Sequence, residues 1–298
     1  MRIEMEPRFQ TAVTAVRSGD LEQFKAALTA DPSLATARSS QSHSSLLYCV
    51  VLDGNGKPNN VEMARLLIDA GAPIDGPLVA AASINNVPVA ELLLDRGAAI
   101  DGNGRWSPIE EALYWDSRDT LALLLKRGAR VRNLRIAAGL GRTDLIAGFF
   151  DDSGALKPAA GRIEWPFGSP EEIERSSHEP RIKRELADRI RAWRQDRQGI
   201  IDNAFVFACM HGHIEAAELL LEKGAAIDAI PGGFDFAGTG LHYAAHNGHR
   251  ATVEFLLEHG ADPSIKDTKV NSDAAGWAEH AKHTEIAELL RRAPKRRT

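Results

Sequence analysis

One phrase recurs along the chain, and this repetition limits the possible folds more than length or composition does. Glu-Leu-Leu-Leu-Asp-Arg-Gly-Ala occupies 91–98, and Glu-Leu-Leu-Leu-Glu-Lys-Gly-Ala occupies 218–225. Related phrases stand at 65–72, 123–129 and 255–261. Each is typical of a helix C-terminus, with leucines on a buried stripe, then charge, then a Gly suited to the left-handed conformation. The chain is therefore predicted to consist of repeated helical units.

A second phrase precedes each of these helix ends, and 239–249 holds its clearest copy. Thr239 is an expected N-cap, leucine and alanine follow at helical spacing, and Gly248 is expected to stop the helix. A second short helix is predicted directly afterwards, over 251–258. The repeating unit is thus a pair of antiparallel helices joined by a tight Gly turn.

These motifs resemble the ankyrin repeat. Residues 239–262 follow the pattern Thr-Pro-Leu-His-x-Ala-Ala…Gly-His…Leu-Leu…Gly-Ala-Asp, with Gly240 in place of proline, and Ser107-Pro108-Ile109 with Ala112 marks another copy. Copies are placed by their Thr-equivalent positions at Gln10, Ser44, Pro77, Ser107, Arg132, Asn203, Thr239 and Asp273. Successive steps are 34, 33, 30, 25, 71, 36 and 34 residues. Five of the seven lie close to the period of about 33.

The resemblance implies an all-α solenoid of about eight helix-turn-helix units with hairpin fingers between them. Repeats 1–5 with an N-terminal cap are expected in 1–160, and repeats 6–8 with a C-terminal cap in 200–298. The 71-residue step indicates an insertion over 161–199, made of an extended apolar segment and a charged helix. The 25-residue step indicates a shortened finger after Ala129.

Composition narrows the functional classes. The 298 residues carry a formal charge of −5, which favours neither nucleic acid nor an acidic membrane as a partner. Cys49 and Cys209 lie 160 residues apart, which excludes a disulfide scaffold and a Cys-based metal site. Because no signal core and no apolar run of about 18 to 20 residues is found, a cytoplasmic protein is expected, and the capped ends predict a monomer.

No motif favours catalysis. His213, His249 and His283 share one position of the repeat, which recurs roughly every 10 Å, too far for a shared metal. The resemblance gives His242 a structural role, in hydrogen bonds to backbone between units. The Gly-rich stretch 231–240 lacks the Lys-Ser/Thr pair of a phosphate loop and is interpreted as an enlarged finger. The chain is predicted to be no enzyme and to need neither cofactor nor metal.

The resemblance implies partner binding by the finger loops and first helices, which line the concave side. The expected exposed first-helix positions are Glu111, Tyr114, Trp115, Phe207, Met210, His211, Tyr243, His246, Asn247 and Trp277. Phe234 and Phe236 of the enlarged finger would add apolar contacts. An exposed apolar stripe with Trp and Tyr is typical of a binding surface. The alternative is that the insertion folds back and covers this stripe.

The insertion leaves three alternatives open. Its apolar residues Trp165 and Phe167 would shape the concave surface, or the segment would pack over the shortened finger, or it would be mobile. A helix is predicted from 180 to 197, with Ile182, Leu186, Ile190 and Trp193 on one edge. Residues 171–197 of the insertion include seven acidic and eight basic side chains, and this balance of charge argues against a nucleic-acid-binding arm.

The sequence therefore favours a non-enzymatic interaction protein that binds a protein or peptide. The alternative is a small-molecule binder or uncommon enzyme whose pocket is closed by the insertion over Phe207, Tyr243 and Trp277. That alternative uses His211, His246 and Glu111 as polar groups and predicts a deep cavity. The identity of the partner does not follow from the sequence.

Overall fold

A computed structural model describes residues 5–39, 44–104, 106–164, 169–175, 180–235 and 237–294. Regular structure in these ranges is helical, without a β-strand, and three isolated antiparallel bridges occur in loops. The predicted all-α class is confirmed. None of the described helices combines the length and apolarity needed to cross a bilayer. Two compact units divide the chain, Met1–Arg130 and Val131–Thr298.

The first unit contains four pairs of antiparallel α-helices. They are α1 (Gln10–Ser18) with α2 (Leu21–Ala30), α3 (Leu46–Leu52) with α4 (Asn60–Asp69), α5 (Asp75–Ser83) with α6 (Val87–Asp95), and α7 (Pro108–Tyr114) with α8 (Arg118–Lys126). First helices pack on neighbouring first helices, and second helices on neighbouring second helices. Phe9, Phe24, Leu46, Leu67 and Leu93 are fully buried along this stack. Each pair thus buries its apolar faces against its neighbours, as the repeat pattern requires.

The second unit contains four more pairs, with two further helices between the first and second of them. They are α9 (Leu134–Gly139) with α10 (Thr143–Ile146), the inserted α11 (Pro170–Arg175) and α12 (Pro180–Arg191), α13 (Arg197–Met210) with α14 (Ile214–Glu222), α15 (Gly240–His246) with α16 (Arg250–Glu258), and α17 (Ala274–His280) with α18 (Thr284–Arg292). Helix α13 packs directly on α9. The insertion is therefore looped out between two copies that stack as neighbours.

Two predicted helix ends were wrong. Helix α12 ends at Arg191 rather than at Arg197, and α13 begins at Arg197 rather than near Asn203. Asp196 explains both, because its carboxylate accepts a hydrogen bond from Gly199 N at 2.9 Å and caps α13. The first helix of the sixth copy is consequently 14 residues long.

The start of α15 confirms the predicted N-cap and the structural role of His242. Thr239 Oγ1 lies 2.9 Å from His242 Nδ1, which also accepts a hydrogen bond from Thr239 N at 3.2 Å. The other ring nitrogen, Nε2, lies 3.2 Å from the carbonyl oxygen of Ser272 in the loop before the next copy. This one side chain therefore caps its own helix and contacts the neighbouring repeat.

Candidate functional site

Four aromatic rings that were predicted to be exposed form a buried row in the second unit. Ring centroids lie 5.1 Å apart between Phe207 and Phe234, 4.9 Å between Phe234 and Tyr243, and 5.1 Å between Tyr243 and Trp277. All four side chains are less than a tenth exposed. The prediction of an exposed stripe was wrong here, because the finger residue Phe234 folds onto the first helices. The rings fill the space that the pocket hypothesis assigned to a ligand.

A buried carboxylate fixes the end of this row. Asp267 Oδ2 accepts a hydrogen bond from Trp277 Nε1 at 3.0 Å. The same carboxylate accepts backbone N–H groups of Lys269, Val270 and Ser272 at 2.7–2.9 Å and so closes the finger before α17. Burial acts to raise the pKa of Asp267, but these hydrogen bonds outweigh it and lower the pKa to about 2. Asp267 therefore stays ionised and holds both the finger and the indole.

The other binding residues predicted in this unit have mixed environments. Met210 is buried, and its carbonyl oxygen accepts a hydrogen bond from Asn247 Nδ2 at 2.8 Å. His246 is exposed, with its ring 5.8 Å from that of Trp277 and stacked 6.3 Å from that of His280. His211 is partly buried. Exposure is thus confirmed for His246 but was wrongly predicted for Met210.

The three histidines at the common repeat position each lie on a glycine of the preceding copy. A Cβ added to Gly141 would lie 2.7 Å from the His213 ring, and one added to Gly212 would lie 2.8 Å from the His249 ring. His283 lies on Gly248 in the same way. These rings pack between repeats, in agreement with the structural interpretation. Among the described residues, no group of three His, Cys, Asp or Glu side chains is arranged to hold a metal.

In the first unit, α7 presents two adjacent glutamates that do different work. Ser107 and Glu110 form a capping box, in which Glu110 Oε2 accepts from Ser107 N at 2.9 Å and from Ser107 Oγ at 2.7 Å. The next residue, Glu111, points elsewhere because successive helical side chains are about 100° apart. Its carboxylate is buried but takes no part in the cap.

Two indoles enclose the Glu111 carboxylate. Trp106 Nε1 donates to Glu111 Oε2 at 2.5 Å, and Trp115 Nε1 donates to Glu111 Oε1 at 2.9 Å. Tyr114 lies edge-on to both indoles, with centroid distances of 6.0 Å to Trp106 and 5.1 Å to Trp115. Burial raises the pKa of Glu111 to about 7, against the opposing effect of the two indole donors. We call Trp106, Glu111, Tyr114 and Trp115 the indole–carboxylate cluster.

Exposure distinguishes the members of this cluster. Glu111 is 6% exposed and Trp106 is also buried, whereas Trp115 is 47% exposed. Of the predicted binding residues in the first unit, Trp115 is therefore accessible, Tyr114 is partly buried, and Glu111 was wrongly expected at the surface.

Large exposed apolar side chains are few in the described chain. They are Trp115 (47%), Leu125 (40%), Ile230 (37%) and Val270 (59%). Trp115 ends a first helix, and Ile230 and Val270 lie on finger loops, whereas Leu125 lies on the second helix α8. In the second unit, Lys269 Nζ on one finger and the Asp235 carboxylate on the adjacent finger pair at 2.6 Å. This ion pair holds the two fingers that carry Ile230 and Val270 beside each other.

The described part of the insertion packs on the fingers of the second unit. The Gln195 side chain pairs with backbone N and O of Ile163 at 3.0 and 2.9 Å, and Trp193 lies on Gly232, where an added Cβ would meet its ring at 2.2 Å. Arg135 Nη1 donates to the carbonyl oxygen of Arg162 at 2.7 Å. The described residues of the insertion thus pack on the enlarged finger and on α9, whereas the predicted alternative was packing over the shortened finger after Ala129. Trp165, Phe167 and Phe236 lie outside them.

Sequence reasoning missed Trp106 and Asp267. Trp106 stands directly before the N-cap Ser107 and so lies outside the first-helix positions predicted to bind a partner. Its sequence signal is a Trp five residues before a helical Glu. In the sequence, Asp267 is one acidic residue in a predicted loop. Its four hydrogen-bond donors come together only in the folded finger. A loop-closing hydrogen-bond network has no periodic sequence signature.

Stacked pairs of short antiparallel helices with intervening loops define a helical repeat protein. Residues 184–267 match the family model described as Ankyrin repeats (3 copies). Together with the repeat motifs, this match shows ankyrin repeats in that part of the chain. Ankyrin repeats generally mediate protein–protein interaction, and their fold is generally non-catalytic.

Curated relatives match over short stretches of this chain. The mouse palmitoyltransferase ZDHHC13 is 39% identical over 61 residues, which is 20% of this chain and 10% of that protein. The putative E3 ubiquitin-protein ligase XBAT35 of Arabidopsis thaliana is 39% identical over 71 residues, 24% of this chain and 15% of that protein. The chain thus spans a small fraction of these relatives. The human ASB11 ankyrin repeat domain covers 95% of this chain and 98% of its own, at 18% identity and a TM-score of 0.41.

Proposed function

We propose that the chain is a non-enzymatic scaffold that binds a protein or peptide partner through its first helices and finger loops. The observation that carries the proposal is the position of the exposed large apolar residues. Three of the four, Trp115, Ile230 and Val270, lie on a first helix or a finger. Exposed apolar surface marks interaction sites, and Trp is a typical anchor of a protein interface. A monomer acting in the cytoplasm, without a cofactor, belongs to the same proposal.

The buried aromatic row changes how this proposal is tested. Tyr243 contacts Phe234 and Trp277, so truncating it would damage the core of the second unit as well as any binding surface. Trp115 and Val270 are better probes, because their exposed side chains contribute less to packing. Leu125 is the matched control, since it is similarly exposed but lies on a second helix.

The test is selection of peptides from a random library displayed on phage. Wild type, Trp115→Ala, Val270→Ser and Leu125→Ala serve as parallel baits of the full chain. We expect sequences enriched on wild type and on Leu125→Ala that are depleted on Trp115→Ala or Val270→Ser. Enrichment that is equal on all four baits, or no enrichment on any folded bait, would refute the proposed binding surface.

A further inference from the structure

Asparagine is followed directly by glycine at three places in the chain, 55–56, 103–104 and 247–248. In such a pair the glycine backbone nitrogen can attack the asparagine side-chain carbon Cγ, because glycine has no Cβ to block the approach or restrict the backbone. The attack requires rotation about the asparagine Cα–C bond until that nitrogen lies beside Cγ. The freedom that the fold leaves to each pair therefore decides which of them reacts.

The third pair is held tightly in the turn between α15 and α16. Asn247 is the C-cap of α15, with φ −88° and ψ 4°, and its Nδ2 donates to the carbonyl oxygen of Met210 at 2.8 Å. Gly248 N donates to Ala245 O at 3.4 Å, and Gly248 packs against the His283 ring. Rotation at Asn247 would break both hydrogen bonds and displace that ring. The fold thus protects this pair.

The second pair is exposed, but its side chain is bound to a charged group. Asn103 Nδ2 donates to Asp75 Oδ2 at 2.6 Å. A carboxylate acceptor pushes electron density into the amide and makes Cγ less open to attack. Its negative charge also opposes the loss of a proton from the attacking backbone nitrogen. Asn103 is therefore expected to react more slowly than an asparagine whose amide contacts a neutral group.

The first pair lies in a long turn with open space around it. Seven residues, 53–59, connect α3 with α4, whereas three residues, 84–86, connect α5 with α6. Asn55 and Gly56 are exposed, and a Cβ added to Gly56 would meet no atom within 4 Å. A cavity of about 520 Å³ is lined in part by these two residues and Lys57. The turn therefore has room to rotate at Asn55.

One long hydrogen bond holds the Asn55 side chain. Its Nδ2 donates to the carbonyl oxygen of Ile84, in the turn of the next copy, at 3.3 Å. Water readily replaces an exposed hydrogen bond of this length between neutral groups. Among the described residues, no backbone carbonyl accepts the Gly56 N–H. Lys57 adds positive charge to the same exposed turn, which favours loss of the proton from Gly56 N.

We propose that Asn55 is a site of spontaneous covalent modification, in which its amide becomes a carboxylate through a succinimide ring closed with Gly56. The Gly56 nitrogen gives up its proton and forms a bond to Asn55 Cγ. The bond between Cγ and Nδ2 breaks, and ammonia leaves with that proton. Water then adds to either carbonyl carbon of the ring and opens it, which gives aspartate or isoaspartate. The net reaction consumes one water and releases one ammonia.

The modification alters the contact between the second and third copies. An ionised carboxylate has no proton to donate to the Ile84 carbonyl oxygen, so repulsion replaces the hydrogen bond. One negative charge is added to the formal charge of −5. Isoaspartate also lengthens the backbone of the turn. The turn between α3 and α4 is thereby released from its neighbour, whether or not the chain binds a partner there.

The test is peptide mapping of the full chain by mass spectrometry after incubation in mildly alkaline buffer. The readout at each of the three asparagines is the fraction converted to acid, with aspartate and isoaspartate separated by chromatography. We expect Asn55 to react at least about tenfold faster than Asn247, the factor that corresponds to one hydrogen bond that must first be broken. Asn55 should also react faster than Asn103. Both acids are expected at Asn55, because water can open the ring on either side.

Two controls separate the effect of the fold from that of the sequence. The same incubation in urea presents the same two residues at all three places without the fold, so the three rates should become comparable. Asn55→Gln keeps a side-chain amide but places it one carbon further from the Gly56 nitrogen. This variant is expected to stay unmodified at position 55, with circular dichroism showing that it is folded.

An Asn103 or Asn247 that reacts as fast as Asn55 in the folded chain would overturn the proposal. So would an Asn55 that stays intact under conditions that convert the unfolded chain. Aspartate alone at position 55 would indicate direct hydrolysis instead of a succinimide. A preference for Asn55 that persists unchanged in urea would assign the reactivity to the sequence and refute the role of the fold.

Discussion

Replacing Phe234 with Ala is expected to destabilise the second unit, although Phe234 lies on a finger loop that the sequence assigned to partner binding. The Phe234 ring is buried between Phe207 of α13 and Tyr243 of α15, at centroid distances of 5.1 and 4.9 Å. It therefore joins two successive repeats. Removing it exposes or empties the interface between them.

The expected loss in free energy of unfolding follows from the burial of the Phe234 ring. Truncation of a fully buried Phe to Ala costs about 3–5 kcal/mol, and the two aromatic contacts are worth about 0.5–1.5 kcal/mol each within that total. Because Phe234 is carried by a loop that can relax into the vacated space, we expect a value near the lower bound, about 3 kcal/mol. Ile230→Ala, on the same finger but 37% exposed, is the control and should cost less than about 1 kcal/mol.

The assay is urea unfolding of the full chain followed by circular dichroism, with hydrogen–deuterium exchange to localise the effect. In Phe234→Ala, exchange should accelerate in α13, α15 and α17 while α3 and α5 keep the wild-type rate. A loss of stability no larger than that of Ile230→Ala would refute the argument. It would mean that the ring is dispensable to the core and free to serve a binding surface.

Three further perturbations test the loops and turns of the second unit. Asp267→Asn should lower the free energy of unfolding by about 2 kcal/mol in urea. Because the pKa of Asp267 is lowered, its stabilising contribution is full above a pH of about 4 and is lost as the pH falls toward 2. The melting temperature of the variant should therefore depend less on pH in that window than that of the wild type. Burial lowers the pKa of His242, so the wild type should lose stability as the pH falls below about 6.5. This one proton changes the free energy of unfolding by at most about 1.4 kcal/mol per pH unit. His242→Gln should make the free energy of unfolding depend less steeply on pH. Gly212→Ala should cost about 1–2 kcal/mol or more, because Gly212 has φ +75° and an added Cβ would lie 2.8 Å from the His249 ring. An unchanged midpoint in thermal unfolding would contradict this.

The repeated helix pairs could be predicted from the sequence because each pair has the same local sequence motifs. Thr239 at an N-cap, leucines at helical spacing and Gly248 at a turn depend on neighbours within one repeat. The boundary between the insertion and α13 could not be predicted from the sequence. Asp196 and later residues are all possible N-caps, and the local sequence does not show which of them begins the helix. The insertion's packing against Gly232 depends on tertiary contacts that no local pattern records.

Burial of the candidate binding residues was the weakest part of the prediction. First-helix positions were assumed to face solvent by analogy between copies, but Phe234 comes from a finger of unusual length and covers Phe207 and Tyr243. Trp115 was correctly placed at the surface. The enclosure of Glu111 by two indoles could not be predicted from the positions along α7, because Trp106 lies before the start of that helix.

The most direct test of the binding surface is the affinity of one display-selected peptide for Trp115→Ala and for Leu125→Ala, measured by isothermal titration calorimetry on the full chain. We expect Trp115→Ala to weaken binding by roughly 2 kcal/mol or more, about thirtyfold in dissociation constant, and Leu125→Ala to change the dissociation constant by less than about twofold. Equal affinities of the two variants, with helicity at the wild-type level in both, would contradict the claim that the first helices and fingers bind the partner.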